Sequence, residues 1–194
     1  MLILIAHGET LLDQEGRFNG SSDTPLSELG KIQAIDAGKL LSNTPLDVVF
    51  ASRLGRSKAT AWAIVGEQKR PPDAIHMDEA ALNERSFGLI DGLTLGEARG
   101  KFPPKKYKVW ERDLFEAPPM GESLSDVMDR MVTFYKLRVF PLLKKGKRVC
   151  LVGHPIGVKM LLGWLNRLDE QELLEMQIEP VIPYEFSLSV LGIQ

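Results

Sequence analysis

Leu2-Ile3-Leu4-Ile5-Ala6-His7-Gly8-Glu9-Thr10 opens the chain as an apolar run that stops at a histidine and a glycine. Far downstream Val149-Cys150-Leu151-Val152-Gly153-His154-Pro155 repeats the pattern, with a proline placed to open a helix. Short apolar runs bounded by turn residues read as buried strands. In open α/β sheets functional groups gather at the carboxyl ends of the strands, so two histidines in such places can face one ligand. The chain holds only three histidines, and two of them end these runs.

The elements between the two runs alternate. Val48 to Ser52 reads as a third buried strand, Ala59 to Gln68 as part of the helix after it, and the stretch around Ile75 as a short strand. His76, on that strand, reads as an ordinary surface or edge residue. Ser27 caps a helix whose core face is expected to carry Leu29, Ile32, Ala34, Ala37, Leu40 and Leu41. Thr94 with Glu97, Ser123 with Asp126, and Asp169 with Glu172 mark three further helix starts. The second of these leads into an amphipathic helix through Leu124, Val127, Met128, Met131 and Tyr135. A last strand is expected over Phe186 to Leu191, at the sheet edge. Strand and helix in alternation predict an α/β fold: a three-layer helix-sheet-helix sandwich with a mostly parallel central sheet.

The chain of 194 residues, 44% hydrophobic and 26% charged, suits one globular domain over residues 1–194. Its formal net charge of -2 argues against bulk nucleic-acid binding while leaving room for a local anion pocket. The single Cys150 rules out an intrachain disulfide and sits in an apolar run as a small hydrophobe. No run approaches the roughly 20 apolar residues of a membrane span. The opening run is too short for a signal-peptide core, so a cytoplasmic protein without membrane association is expected. Residues 16–22 form a loop in a connection long enough to be functional. Residues 101–121 carry four prolines among Lys101, Lys105, Lys106, Lys108 and Arg112, and read as a lid-like insertion. A solvated linker and a basic lid over an anionic substrate both remain open for it.

The residues around the two histidines extend the chemistry. Gly8 lets a ligand approach the backbone beside His7. Arg56 stands just past the Val48 to Ala51 strand, in Ser52-Arg53-Leu54-Gly55-Arg56, and Glu84 in the next polar cluster, Leu82-Asn83-Glu84-Arg85. A nucleophilic nitrogen, a guanidinium, a carboxyl group and a second imidazole are what phosphoryl transfer without a metal requires.

Taken with Ala6-His7-Gly8-Glu9, the segments Gly16 to Gly20, Asp23 to Ser27, Ser52 to Arg56, Leu82 to Gly88, Gly121-Glu122-Ser123 and His154 resemble, in order and spacing, the histidine phosphatase superfamily. The cofactor-dependent phosphoglycerate mutase branch is the most similar. The resemblance implies that His7 attacks phosphorus and becomes phosphohistidine, that Glu84 is general acid and then base, and that Arg56 and His154 hold the phosphoryl oxygens. It implies substrate contacts at Thr10, Arg17, Asn19, Gly20, Arg85 and Arg112, a phosphorylated small molecule as ligand, and neither metal nor cofactor. Relatives are often oligomeric, so a homodimer is an expectation without a patch to name its interface.

Four departures from the family pattern bear on activity. Ala6 stands where the family has arginine. His154-Pro155-Ile156 replaces His-Gly-Asn, with loss of a backbone donor at Pro155 and a side-chain amide at Ile156. Leu95 replaces a lysine, and Trp110-Glu111-Arg112 replaces an arginine pair after tryptophan, leaving Lys105, Lys106 and Arg112 as candidate replacement cations. Weaker clamping favours a phosphatase, which need only admit water, over a mutase, which must retain a doubly phosphorylated intermediate. Asp169 to Leu174 and Pro183 to Phe186 look mutase-like. Three readings stay open: a phosphatase weakened at Ala6, a phosphoglycerate mutase, and a catalytically impaired binder of phosphorylated ligands.

Overall fold

The computed structural model describes residues 1–103, 106, 109–110 and 112–187. Among these residues five strands form one sheet in the order β3-β2-β4-β1-β5: β1 Leu2–Ala6, β2 Val48–Ala51, β3 Ala74–His76, β4 Val149–Gly153 and β5 Tyr184–Phe186. All neighbours are parallel except β5, which runs antiparallel on β1 at the edge. Every residue of β1, β2 and β4 is buried, which is why these strands read as continuous apolar runs rather than alternating ones. Their side chains divide between two cores. Leu2, Leu4, Ala6, Val48, Phe50, Val149 and Leu151 face one layer of helices, and Ile3, Ile5, Val49, Ala51, Cys150 and Val152 face the other. Burial pushes the Cys150 thiol up to about 12, so it behaves as an apolar filler.

The first layer consists of α5 Leu124–Phe134 and α7 Pro155–Asn166, with α8 Glu170–Glu175 beyond them; α2 Glu28–Leu41 and α3 Gly55–Gly66 form the second. Short α1 Leu11–Gln14 and α4 Leu95–Lys101 lie in connections. Capping boxes at Thr94, Ser123 and Asp169 start α4, α5 and α8 where the sequence placed helix starts. The α5 helix runs through a π turn at Tyr135–Val139 into α6 Phe140–Lys144. Pro141 has no N–H to give the preceding turn, and the widened turn accommodates that gap. No helix among the described residues is long and apolar enough to cross a membrane.

Two expectations are corrected. The buried face of α2 is Gly30, Ala34, Ala37, Gly38 and Leu41, while Leu29, Ile32 and Leu40 are exposed. Helix α2 approaches its neighbours too closely for large side chains: a Cβ on Gly30 would stand 1.9 Å from the Glu9 carbonyl oxygen, and one on Gly38 2.9 Å from that of Ala63. Helix α3 ends at Gly66, so Glu67 and Gln68 of the expected stretch lie beyond it; its first residue is Gly55, whose N–H is met at 2.6 Å by Asp23 Oδ1 from a distant loop. That cap is tertiary and has no local signature. Of the expected last strand, Phe186 is present in β5, and positions 188–191 lie outside the described residues.

Candidate active site

Strand register brings the two histidines together. Because β1 and β4 are parallel with Ala6 opposite Gly153, the residues that follow leave the sheet side by side, and the imidazole rings of His7 and His154 lie 4.8 Å apart. Next to β4, β2 places Ala51 opposite Val152, so Ser52 also reaches this edge, and its Oγ lies 2.7 Å from His154 Nε2. Arg56, on the first turn of α3 and fully buried, points its Nε at both rings, 3.1 Å from His7 Nε2 and 3.3 Å from His154 Nδ1.

These contacts fix the tautomers. His7 Nδ1 lies 2.7 Å from the Gly8 carbonyl, which can only accept, so Nδ1 carries the proton. Arg56 Nε–H can only donate, so His7 Nε2 presents a lone pair. In neutral His154, by the same reasoning, Nδ1 accepts from Arg56 and Nε2–H donates to Ser52 Oγ. Burial, reinforced by the Arg56 charge, lowers the His7 pKa to about 4. Burial likewise holds His154 well below the usual histidine range, with the neighbouring His7 and Arg56 adding to it. Both rings are therefore neutral near pH 7.

The remaining donors of Arg56 are caged by a loop. Nη1 donates to the Ser22 carbonyl at 2.6 Å, and Nη2 to those of Gly20 at 2.7 Å and Asn19 at 3.2 Å. Asp91 holds this loop from behind, accepting the N–H groups of Gly20, Ser21 and Ser22 and the Ser21 hydroxyl. The 16–22 stretch is thus the seat of the buried guanidinium, which compensates the charge of an arginine that sits in the core.

Glu84 approaches from the other side. Its Oε1 accepts the Arg85 N–H at 2.7 Å, and its Oε2 the Ile156 N–H at 3.4 Å. Burial raises its pKa to about 7 against the pull of those two N–H groups and of Arg56 and Arg130. The Arg130 guanidinium donates to the carbonyls of Ala81, Asn83 and Glu84 and to Glu122, fixing the segment that carries Glu84. Pro155 does remove one donor at the start of α7, yet the next N–H, at Ile156, is directed at the carboxyl group.

A cleft of about 450 Å³ opens over these groups, lined by His7, Gly8, Glu9, Asp13, Arg17, Phe18, Asn19, Gln33, Glu84, Phe87, Pro155, Ile156 and Pro180. Of the expected site residues, His7, Glu84, Arg17 and Asn19 line it, with Arg56 and His154 directly beneath His7. Arg17 is held by Glu15 at 2.6 Å and by Glu97 at 2.8 Å. Thr10 is buried under the cleft, where it caps α1 and accepts from Asn19 Nδ2. Gly20 contributes its carbonyl to Arg56 instead of lining the cleft.

Like Thr10 and Gly20, two further expected contacts are absent from the cleft's lining. Arg85 is buried and spends its guanidinium on the carbonyls of Trp110, Glu116 and Glu122, bracing the 101–121 insertion. Arg112 lines a separate cavity of about 780 Å³ with Glu170, Gln171, Leu174, Glu175 and Gln177. Lys105 and Glu111 fall outside the described residues. Sequence reasoning missed Asp13, Phe18, Gln33, Phe87 and Pro180 as lining groups and Ser52 as a partner of His154. Asp13 alone carried a local signal, since Thr10 and Asp13 form a capping box. Ala6 is fully buried among the apolar side chains of its own core face, so no cation stands beside His7 on β1.

A family model described as histidine phosphatase superfamily (branch 1) matches residues 2–193. The 2,3-bisphosphoglycerate-dependent phosphoglycerate mutase of Chlamydia muridarum is 31% identical over 213 residues, covering 96% of this chain and 94% of that protein. A Gloeobacter violaceus protein of the same name, numbered 2, is 32% identical over 186 residues, covering 96% and 84%. Among solved structures, a mycobacterial glucosyl-3-phosphoglycerate phosphatase superposes with a TM-score of 0.78 at 27% identity, covering 92% of this chain and 88% of that one. Bacillus stearothermophilus YhfR does so with 0.81 at 27%, covering 92% and 86%.

Proposed function

The chain belongs to the histidine phosphatase superfamily, branch 1, whose members act on phosphorylated small molecules, and from that premise we propose that it is a phosphomonoester phosphatase working through phosphorylated His7. The observation that carries the reading is the single Arg56 N–H shared by the lone pairs of two neutral imidazoles, with a half-titrating carboxyl on the opposite wall.

In the first step the His7 Nε2 lone pair attacks phosphorus, the bond from phosphorus to the ester oxygen breaks, and protonated Glu84 gives its proton to the departing alkoxide. The Nδ1–H bond to the Gly8 carbonyl keeps the ring aimed and stabilises the positive charge it gains. In the second step Glu84, now a carboxylate, removes a proton from water. The oxygen attacks phosphorus, the P–N bond breaks, and inorganic phosphate departs, leaving His7 neutral and Glu84 protonated, ready to give its proton to the next leaving group. Arg56 is proposed to face the phosphoryl oxygens, and His154, whose Nε2–H is given to Ser52, to join it by taking up a proton at Nδ1 when the dianion binds. Substituting alanine for a second guanidinium at position 6 costs about 2–5 kcal/mol where a buried charged hydrogen bond is lost, so a slowed enzyme is expected.

The choice of phosphatase over mutase rests on the rest of the cleft. Phe18, Phe87, Pro155, Ile156 and Pro180 make much of its wall apolar. Among the described lining residues Arg17 is the one cation, already paired with two glutamates. A second phosphate or a carboxylate on the substrate would find little to hold it. The mutase reading keeps the support of its relatives' names. The insertion at 101–121 is proposed as a structural flank of the site, tied by Arg85 to the Glu84 segment.

Incubation with a phosphomonoester, acid-free quenching and peptide mapping should find phosphate on His7, and His7→Ala should abolish both the adduct and phosphate release. Interconversion of phosphoglycerates without release of phosphate would establish the mutase instead. Phosphate binding with no adduct and no turnover would leave a binder.

A further inference from the structure

We infer that the alcohol part of the ester carries a protonated primary amine, so that the substrate is the phosphate ester of an amino alcohol. The inference deepens the phosphatase reading and rests on it for the place of the phosphoryl group. A cleft that takes a phosphate dianion is ordinarily positive, and this one is not. Among the described lining residues Glu9 and Asp13 stand beside Glu84, and the one cation, Arg17, is outnumbered by its partners Glu15 and Glu97, at 2.6 and 2.8 Å. Arg56 beneath His7 supplies one further positive charge. Even with Glu84 protonated, carboxylates outnumber guanidinium groups here. A substrate anionic over its whole length would be repelled, whereas a positive charge on the part that leaves restores the balance.

Hydrogen bonding specifies the kind of cation. Glu9 Oε1 accepts from Ser27 Oγ at 2.6 Å and from Gln14 Nε2 at 2.9 Å, but Oε2 has no hydrogen-bond partner among the described residues. Asp13 commits Oδ2 to the Thr10 N–H and hydroxyl, at 2.9 and 2.8 Å, while Oδ1 receives only a long contact of 3.4 Å from Asn19 Nδ2. Asn19 Oδ1 is buried and has no partner among the described residues. Turning the amide over would not help it. Nδ2 faces Thr10 Oγ1 at 2.8 Å, and the hydroxyl proton there already goes to Asp13, so an oxygen in that place would meet only acceptors.

Three acceptors in the lining of one cleft are therefore short of donors. A primary ammonium group offers three N–H donors and no acceptor, whereas a quaternary amine has no N–H to give. Phe18 and Phe87, with ring centroids 5.2 Å apart and planes at 53°, add aromatic surface for the methylene groups beside the charge. Asp13 also feels the reacting end. Burial lowers the pKa of both His7 and Arg56, and the Asp13 charge opposes it at each, so this carboxylate lies within electrostatic reach of the nucleophile.

The test compares 2-aminoethyl and 3-aminopropyl phosphate with their neutral isosteres, propyl and butyl phosphate, and with 2-carboxyethyl phosphate. Calorimetric titration into His7→Ala, which cannot form the adduct, should show at least one amine binding about tenfold more tightly than its isostere. The carboxylate should bind most weakly, and kcat/KM of the unaltered chain should rank the esters in the same order. Glu9→Gln and Asp13→Asn keep the shape of each side chain, and asparagine still caps α1. Each should cut the preference to about threefold, and the two together should abolish it while propyl phosphate binds no worse. Turnover of no ester, with the binding preference intact, would refute the phosphatase reading alone. If neither amine binds more tightly than its isostere, or if the preference survives both substitutions, the inference is overturned.

Discussion

Replacing Glu84 by glutamine keeps the shape of the side chain and its bond from the Arg85 N–H but removes the proton that the leaving group needs. Burial raises this carboxyl from 4.5 to about 7. Near pH 6 a group titrating at about 7 is about 90% protonated, whereas one at 4.5 would be about 3% protonated, so burial supplies roughly thirtyfold more acid. His7 must be neutral to attack, and its pKa is about 4. The rate should therefore rise with pH through about 4, hold, and fall through about 7. Glu84→Gln should lose about 10²–10⁴ in kcat on an alkyl phosphate, far less on a nitrophenyl phosphate whose anion leaves without a proton, and it should lose the alkaline limb while keeping the acid one. Stability gives a second reading of the same group. A folded pKa raised above the unfolded one favours folding at low pH and is lost as pH rises, here between 4.5 and about 7. The whole loss is about 3 kcal/mol, so the glutamine variant should melt higher than wild type at alkaline pH. Equal rate losses on the two substrates, or an alkaline limb that survives the substitution, would refute the assignment of Glu84 as the acid.

Arg56→Lys keeps a positive charge but loses the shared N–H and the planar fork that serves three carbonyls; kcat should fall at least about a hundredfold, and steady-state rates at saturating ester test it. Ala6→Arg should raise kcat/KM about thirtyfold or more if its guanidinium reaches the phosphoryl group, and should lower the melting temperature because Ala6 is fully buried; an unchanged rate in a folded variant would show that the missing cation is not what limits turnover. Gly30→Ala puts a Cβ 1.9 Å from the Glu9 carbonyl oxygen and should destabilise by about 3 kcal/mol or more in a denaturant titration. Gly100→Ala on α4, with nothing within 4 Å, should instead gain about 0.5–1 kcal/mol.

The parts of this fold that could be read from sequence are those whose signal is local. Apolar runs gave β1, β2 and β4, and hydroxyl or aspartate caps gave the starts of α2, α4, α5 and α8. Pro155 marked the start of α7 beside His154. What escaped depends on other segments. The inner face of α2 is chosen by closeness to Glu9 and Ala63, so counting large apolar residues selects the wrong side of the helix. The start of α3 depends on Asp23, 32 residues away in sequence. In the same way the grouping of His7, Arg56, Glu84 and His154 follows from strand ends, whereas the reach of Arg85 and Arg112 is set by an insertion whose path no local pattern reveals. Arginine near a site motif reads as a ligand for anions, and the Arg85 guanidinium instead satisfies buried carbonyls.

The site is built around one buried cation. Arg56 divides its donors between two imidazole lone pairs and three loop carbonyls, and the loop is held in turn by Asp91. Such an arrangement orders the nucleophile well, because the lone pair of His7 Nε2 has a single direction to face. It is less suited to binding a dianion, since the same N–H that aims the ring must be given up to a phosphoryl oxygen. An arginine at position 6 would separate these two tasks, and with alanine there they fall to one guanidinium. In the proposed reaction, preorganisation of the nucleophile and neutralisation of the phosphoryl group therefore compete. The cost falls on substrate binding if Arg56 yields its N–H before bond formation, raising KM. It falls on kcat if the exchange is delayed until charge moves to the oxygens, because only then is the interaction stronger in the transition state than in the bound ester.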